Sequence, residues 1–147
     1  MLIHKATATL DGYLPSLDWT ADKSQAGVLL VGGKKILLSD FPKLRGIFKT
    51  GVGTDNLPFA EAEARGVAIA LPSEATCDVI YEETAAFSCH LILAGLYSGG
   101  SDWESWQKVD RPQLAGRRLL VVGAGRIGQR VADKMSALMP VDPYDVS

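Results

Sequence analysis

Three glycines, Gly123, Gly125 and Gly128, stand in the spacing G-x-G-x-x-G. They follow the apolar run Leu119-Leu120-Val121-Val122 and open a helix-forming stretch. That order suits a dinucleotide pyrophosphate. The first glycine permits a tight turn, the second lets backbone approach phosphate, and the third lets helix pack on strand. The helix N-terminus then aims free N–H groups and partial positive charge at the anion. The same triplet can also be a purely structural turn. The mechanism asks further for an acid about 20 residues on, to accept the ribose hydroxyls. Asp142 lies 19 residues after Gly123 and is followed by Pro143 and Tyr144. Its bland alternative is a turn residue before proline.

A second constellation is Lys49-Thr50-Gly51-Val52-Gly53-Thr54-Asp55-Asn56, at a predicted strand end before a helix. Exposed N–H groups there can hold a carboxylate. The plain alternative is a glycine turn with an Asp/Asn cap. Other residues carry less. His90 follows Cys89, but neighbouring positions do not face each other on a helix, so His90 is expected to be buried rather than paired. His4 falls in a predicted strand with a structural role, and Glu82-Glu83 reads as a solvated face. Two His and two Cys so placed form no recognisable metal site.

Strands and helices alternate around these motifs. Leu2 to Leu10 reads as a first strand, and residues 11 to 26 read as loop with a short helical piece. Gly27 to Val31 reads as a buried parallel strand, and Ile36 to Phe41 as a short helical piece. Leu44 to Lys49 is the next strand. Asp55 or Asn56 caps a helix that tolerates Pro58 and ends at Gly66. Val67 to Leu71 is expected to be buried, and Asp78 to Tyr97 to form a long, largely apolar helix. Ser98 to Ser101 breaks the chain, and Trp103 and Trp106 lie on a short amphipathic helix. The pattern is α/β with a parallel sheet.

The 147 residues are 47% hydrophobic and 22% charged, with net charge −2. Such a balance excludes a nucleic-acid or anionic-membrane footprint, and the pairs Lys34-Lys35 and Arg117-Arg118 are too isolated to make one. Cys77 and Cys89 give no disulfide framework and suit a reducing cytoplasm. No signal peptide is read at the N-terminus, and Ala85 to Tyr97 is shorter than a membrane span.

Taken in order, the Gly51-Val52-Gly53-Thr54-Asp55-Asn56 loop, the helix ending Glu61-Ala62-Glu63-Ala64-Arg65-Gly66, the Pro72-Ser73 loop, the long helix, and Leu114-Ala115-Gly116-Arg117 before the glycine motif resemble the D-isomer-specific 2-hydroxyacid dehydrogenase family. The resemblance runs from about Gly27 to Tyr144. Glu82 to Leu91 is also similar to the C-terminal-binding co-repressor branch. The resemblance implies a flavodoxin-like parallel sheet over residues 1–98, acting as substrate domain. Residues 99–147 would then be the first β-α-β piece of a Rossmann domain. It implies that Gly51, Val52 and Gly53 hold a substrate carboxylate. Thr76 would sit near the cofactor, and Gly123, Gly125, Arg126, Ile127 and Gly128 would line the pyrophosphate. Asp142 would take the ribose and favour NAD. The implied ligands are NAD and a small 2-hydroxy or 2-keto acid, and the implied assembly is a homodimer.

Departures are visible too. The family's catalytic Arg, Glu and His fall downstream of the glycine motif, so no catalytic residue is assigned and the 147 residues read as truncated. Asp142 comes about four residues early, roughly one helical turn. Pro140 falls where a second Rossmann strand is expected, and little room remains between Leu10 and Gly27 for a helix and strand. The alternatives are a non-enzymatic binding or dimerisation protein using the helix from Thr84 to Tyr97, or a fragment with no function of its own.

Overall fold

The computed structural model describes residues 1–12, 16–97 and 113–146. Within them the chain forms two compact units, Met1–Cys77 and Asp78–Ser147. The expected break at Ser98 to Ser101 and the Trp103/Trp106 helix lie outside the described residues.

The first unit holds a four-stranded parallel sheet in the order β1 (Ile3–Ala6), β2 (Val28–Val31), β3 (Gly46–Lys49), β4 (Ala68–Ala70). The register aligns His4, Leu29, Ile47 and Ile69 across one face. Leu29, Val31 and Ile47 are buried there under Leu38, Phe41, Leu44, Leu57, Ala62 and Val67. Helix α1 (Phe59–Ala64) supplies Ala62 to this core. It stops at Gly66, whose φ of +65° is open to glycine without strain.

A flavodoxin-like sheet has strand order 2-1-3-4-5. Here Trp19 makes a single parallel bridge to Ile3, on the edge of β1 away from β2. Ile3 N–H donates to the Asp18 carbonyl and Thr20 N–H to the Ile3 carbonyl, both at 2.9 Å. Counting that bridge as the second strand, the flavodoxin-like order is kept. The missing room noted between Leu10 and Gly27 has thus reduced one strand to one residue and its crossover to a 3-10 turn, Lys23–Gln25.

Two local expectations are corrected. Val67 to Leu71 does not form a buried strand: Ala68 and Ala70 are exposed, because β4 is an edge strand whose outer face carries no helix. Nor does Asp55 or Asn56 cap α1. Pro58 occupies that position without a side-chain cap, since the Asn56 amide is taken by the carbonyls of Gly32 (3.0 Å) and Lys34 (2.7 Å).

Helix α2 (Glu74–Leu96) starts four residues earlier than expected. Ser73 explains this: its hydroxyl accepts the Thr76 N–H at 3.2 Å and its carbonyl accepts the Cys77 N–H at 2.9 Å. From Asp78 onward α2 counts with the second unit. At 23 residues it is long and apolar enough by composition to cross a membrane. One face, however, brings Ala85, Cys89, Ile92, Leu93 and Leu96 into a core with Val121, Val131, Ala132, Met135 and Met139. His90 lies on the other face and is exposed, with its ring 6.1 Å from that of Phe87, so the buried histidine expected there is not found.

The rest of the second unit is one β-α-β piece: β5 (Leu119–Val122), α3 (Arg126–Ser136), β6 (Val141–Tyr144), with β5 and β6 parallel. Pro140 precedes β6 and serves it: its carbonyl accepts the Leu119 N–H at 2.9 Å. The proline within the strand is Pro143, paired opposite Val121. Bonds from Leu119 to Pro140 and from Gly123 to Tyr144 show that even-numbered residues of β6 face β5. Pro143 therefore turns its missing donor to the open edge, the place a strand tolerates proline. Among the described residues of this unit, helices cover one face of this sheet. Leu120 and Val122, on the other, are 62% and 73% exposed.

That asymmetry sets unequal penalties. Leu29→Ala should cost about 2–5 kcal/mol as a cavity in a closed core. Leu120→Ala should cost under about 1 kcal/mol, as an exposed position does. Urea unfolding of the two variants measures this, and equal costs would show that the outer face of β5 and β6 is covered in solution.

Candidate functional site

The glycine turn forms at the end of β5. Gly123 closes the ladder by donating to the Tyr144 carbonyl at 2.8 Å, then takes φ +93°, where a side chain would be strained. A Cβ on Gly128 would stand 1.9 Å from the Gly123 carbonyl oxygen, so strand and helix meet at a distance only glycine allows. A Cβ on Gly125 would meet nothing within 4 Å. Space is therefore open at the second glycine and closed at the third, as phosphate approach and helix packing respectively require.

Gly125 is the N-cap of α3 and offers no side chain. The N–H groups of Arg126, Ile127 and Gly128 open the helix, where no intrahelical acceptor exists. The Ile127 side chain packs into the second core, so only its backbone is available. The Arg126 guanidinium lies 5.5 Å from the Tyr81 ring, beside Arg130 at the same distance. Arg130 also bridges to Asp78 at 3.1 Å and to Glu82 at 3.5 Å, while Lys134 pairs with Glu82. Glu82 is thus a structural partner between α2 and α3.

Asp142, expected to meet the ribose, is occupied otherwise. It is the second residue of β6, and both its oxygens accept from Arg118 at 2.8 Å. Ligands of such sheets collect at the carboxyl ends of strands. Asp145 stands there, directly after Tyr144, whose carbonyl is bonded to the glycine turn. The Asp145 Oδ1 accepts the Val146 N–H at 2.8 Å.

In the first unit, Gly51 and Gly53 line a cleft of about 440 Å³ at the carboxyl ends of β2 and β3. Val52 lies between them, half-buried. The loop is fixed from below by Lys49, which is 3% exposed. Its ammonium donates to the Gly32 carbonyl at 2.5 Å and to Asn56 Oδ1 at 2.8 Å. Asn56 in turn donates to Gly32 and Lys34, so both ends of the loop are clamped to the end of β2. The charged groups lining the cleft are the Lys49 ammonium and the Asp55 carboxylate. Thr76, expected near the cofactor, lies in the first turn of α2 with Oγ1 2.9 Å from Ser73 Oγ. His4, in β1, has Nδ1 3.1 Å from the Thr20 carbonyl and a ring edge-on to Phe41. Among the described residues no group of His, Cys, Asp and Glu could hold a metal ion.

No family model matches the chain. Curated relatives do. Glyoxylate reductase of Thermococcus litoralis is 30% identical over 110 residues, covering 68% of this chain and 33% of the relative. D-3-phosphoglycerate dehydrogenase of Methanocaldococcus jannaschii is 30% identical over 133 residues, covering 81% and 25%. The chain spans about a quarter to two fifths of the length of the curated relatives it matches. Among solved structures, D-lactate dehydrogenase from Aquifex aeolicus, complexed with NAD and lactic acid, aligns with TM-score 0.61 at 21% identity. That alignment covers 100% of this chain and 52% of that one. The likeness establishes the shared fold, and the relatives bear out the resemblance read from the sequence.

Two outcomes test this geometry. Gly128→Ala should destabilise by about 1–3 kcal/mol, since backbone cannot yield as a flexible side chain does. Gly125→Ala should melt like the parent in urea while losing affinity for NADH in calorimetry; retained affinity would remove the phosphate from that spot. Separately, the hydrogen-bonded Arg118 guanidinium holds the Asp142 carboxyl below the ordinary aspartate value. A carboxyl lowered on folding adds stability above its unfolded pKa, lost as pH falls through the folded one. Arg118→Gln should therefore move the Asp142 titration, followed by carboxyl NMR, upward toward an ordinary aspartate. An unmoved midpoint would mean the pair does not form.

Proposed function

We propose that this relative of the D-isomer-specific 2-hydroxyacid dehydrogenases binds a nicotinamide dinucleotide in its second unit and a small 2-hydroxy or 2-keto acid in its first. The observation that carries the reading is the glycine turn, with a closed third position, an open second and an uncapped helix start. The N–H groups of Arg126, Ile127 and Gly128 would hold the pyrophosphate, and Asp145 rather than Asp142 would accept the adenosine ribose hydroxyls. A carboxylate there favours NAD, because a 2′-phosphate would meet like charge. When bound, the dinucleotide supplies or accepts the hydride at C2 of the acid. The N–H groups of Gly51, Val52 and Gly53 would hold the carboxylate, with the Lys49 ammonium behind them.

Oxidising a hydroxyl also requires a base for its proton. Neither histidine serves: His4 is engaged with Thr20, and His90 is exposed on α2. With neither histidine available as that base, we read these 147 residues as binding-competent and catalytically silent by themselves. Helix α2 exposes Phe87 (61%) and Leu91 (54%) beside its packed face, and we assign that outward stripe to a homodimer contact. A reducing cytoplasm fits its two free cysteines.

Purified 147-residue protein should bind NADH in calorimetry, give a dimer mass in light scattering, and reduce neither glyoxylate nor hydroxypyruvate. Asp145→Asn should weaken NADH binding more than Asp142→Asn. Robust NADH-dependent turnover would sink the silent reading, and absent binding at millimolar NADH would sink the cofactor site.

A further inference from the structure

The crossover from Trp19 to β2 has only residues 20–27 and forms a single 3-10 turn. A helical crossover takes a dozen or more residues. At the carboxyl ends of β1 and β2, a cleft of about 820 Å³ opens. Its accessible apolar lining comes from Ala6, Ile36 and Leu37, above the buried Leu29, Val31 and Phe41. This volume lies within the range of small-molecule sites, roughly 300–1,000 Å³. The cleft shares Gly32 and Gly33 with the smaller one at Gly51 and Gly53, so the two run together at the end of β2.

The charge of the larger cleft opposes that of the chain. Lys5, Lys23, Lys34 and Lys35 line it with Asp11 and Asp40, four positive charges against two negative, or +2. The whole protein carries −2. Lys5 is neutralised by Asp11, and Lys23 by Asp40 at 2.8 Å. Among the described residues, the Lys34 and Lys35 ammonium groups have no carboxylate partner. A lysine pair on open surface would be ordinary. Here it borders an apolar trough leading from a carboxylate-binding loop.

We propose that this cleft receives the second negative group of an acid whose first carboxylate sits on the Gly51–Gly53 loop. The preferred ligand is then a small 2-hydroxy or 2-keto acid with two anionic groups, a dicarboxylate or a phosphate ester. Its intervening carbons lie along Ile36 and Leu37. The assignment rests on the carboxylate reading of the loop and adds the chain's own selectivity to it.

Amide NMR of the 147-residue protein separates the two claims, using D-lactate and D-2-hydroxyglutarate as probes. D-Lactate should shift the Gly51 to Gly53 amides alone. D-2-Hydroxyglutarate should shift those and the Lys34 to Leu37 amides, binding at least about tenfold more tightly, as added close charge pairs allow. Lys34→Gln combined with Lys35→Gln, its fold checked by the unchanged amides of β3 and α1, should abolish the preference. Equal affinity for the two acids, or a preference that survives the double variant, overturns the selectivity inference and leaves the loop reading intact. If neither acid shifts Gly51 to Gly53 at millimolar concentration, the loop reading falls, and the inference with it.

Discussion

A parallel sheet has two apolar faces, and burying only one leaves the other to water. Among the described residues, each sheet of this protein carries its main apolar core on one face. In the first unit Leu29, Val31 and Ile47 are sealed while Phe48, Ala68 and Ala70 remain exposed. In the second, Val121 is sealed while Leu120, Val122 and Tyr144 are open. The carboxyl ends of the strands, where the glycine loops stand, are positioned by the sealed faces alone. Whatever rigidity the loops have must come from one core each and from local hydrogen bonds.

This is why Lys49 matters beyond its charge. Burying an ammonium is costly unless its donors find acceptors. The Gly32 carbonyl and Asn56 supply them, and the same bonds tie two loops together. Removing the strand next to β1 has not disturbed this clamp, which lies between β2 and β3. The reduced edge, where Trp19 makes the one bridge among the described residues, lies on the far side of β1 from that clamp.

Much of the fold was legible in the sequence because its signals were local. Four apolar runs stopped by Gly or Pro became strands β2, β3, β4 and β5, and the glycine spacing located the turn before α3. What was misread depended on partners remote in sequence. Asn56 has the composition of a helix cap, but two carbonyls more than 20 residues away claim its amide. The ion pair of Asp142 with Arg118 on the adjacent strand was likewise invisible in the sequence. His90 looked buried because its neighbours are apolar, yet a helix with apolar residues all round can still pack on one side only.

Both proposed anion sites share one more property. Each binds chiefly through backbone N–H groups beside glycines, with side-chain charge in a supporting place. Such sites demand backbone geometry rather than composition: an open Cβ position at Gly125, a forbidden one at Gly128, a clamped turn at Gly51 to Gly53. They are consequently compatible with a chain of net negative charge and with a reduced scaffold. Selectivity is a different matter, because glycines and N–H groups hold every carboxylate or phosphate alike. Discrimination must come from side chains at the rim, and those are set by segments free to shorten. Losing the crossover helix between Trp19 and β2 leaves the anion-holding loop as it was, and Lys34 and Lys35 stand exposed along an apolar trough. In this chain, holding an anion and choosing which anion would therefore fall to physically separable parts.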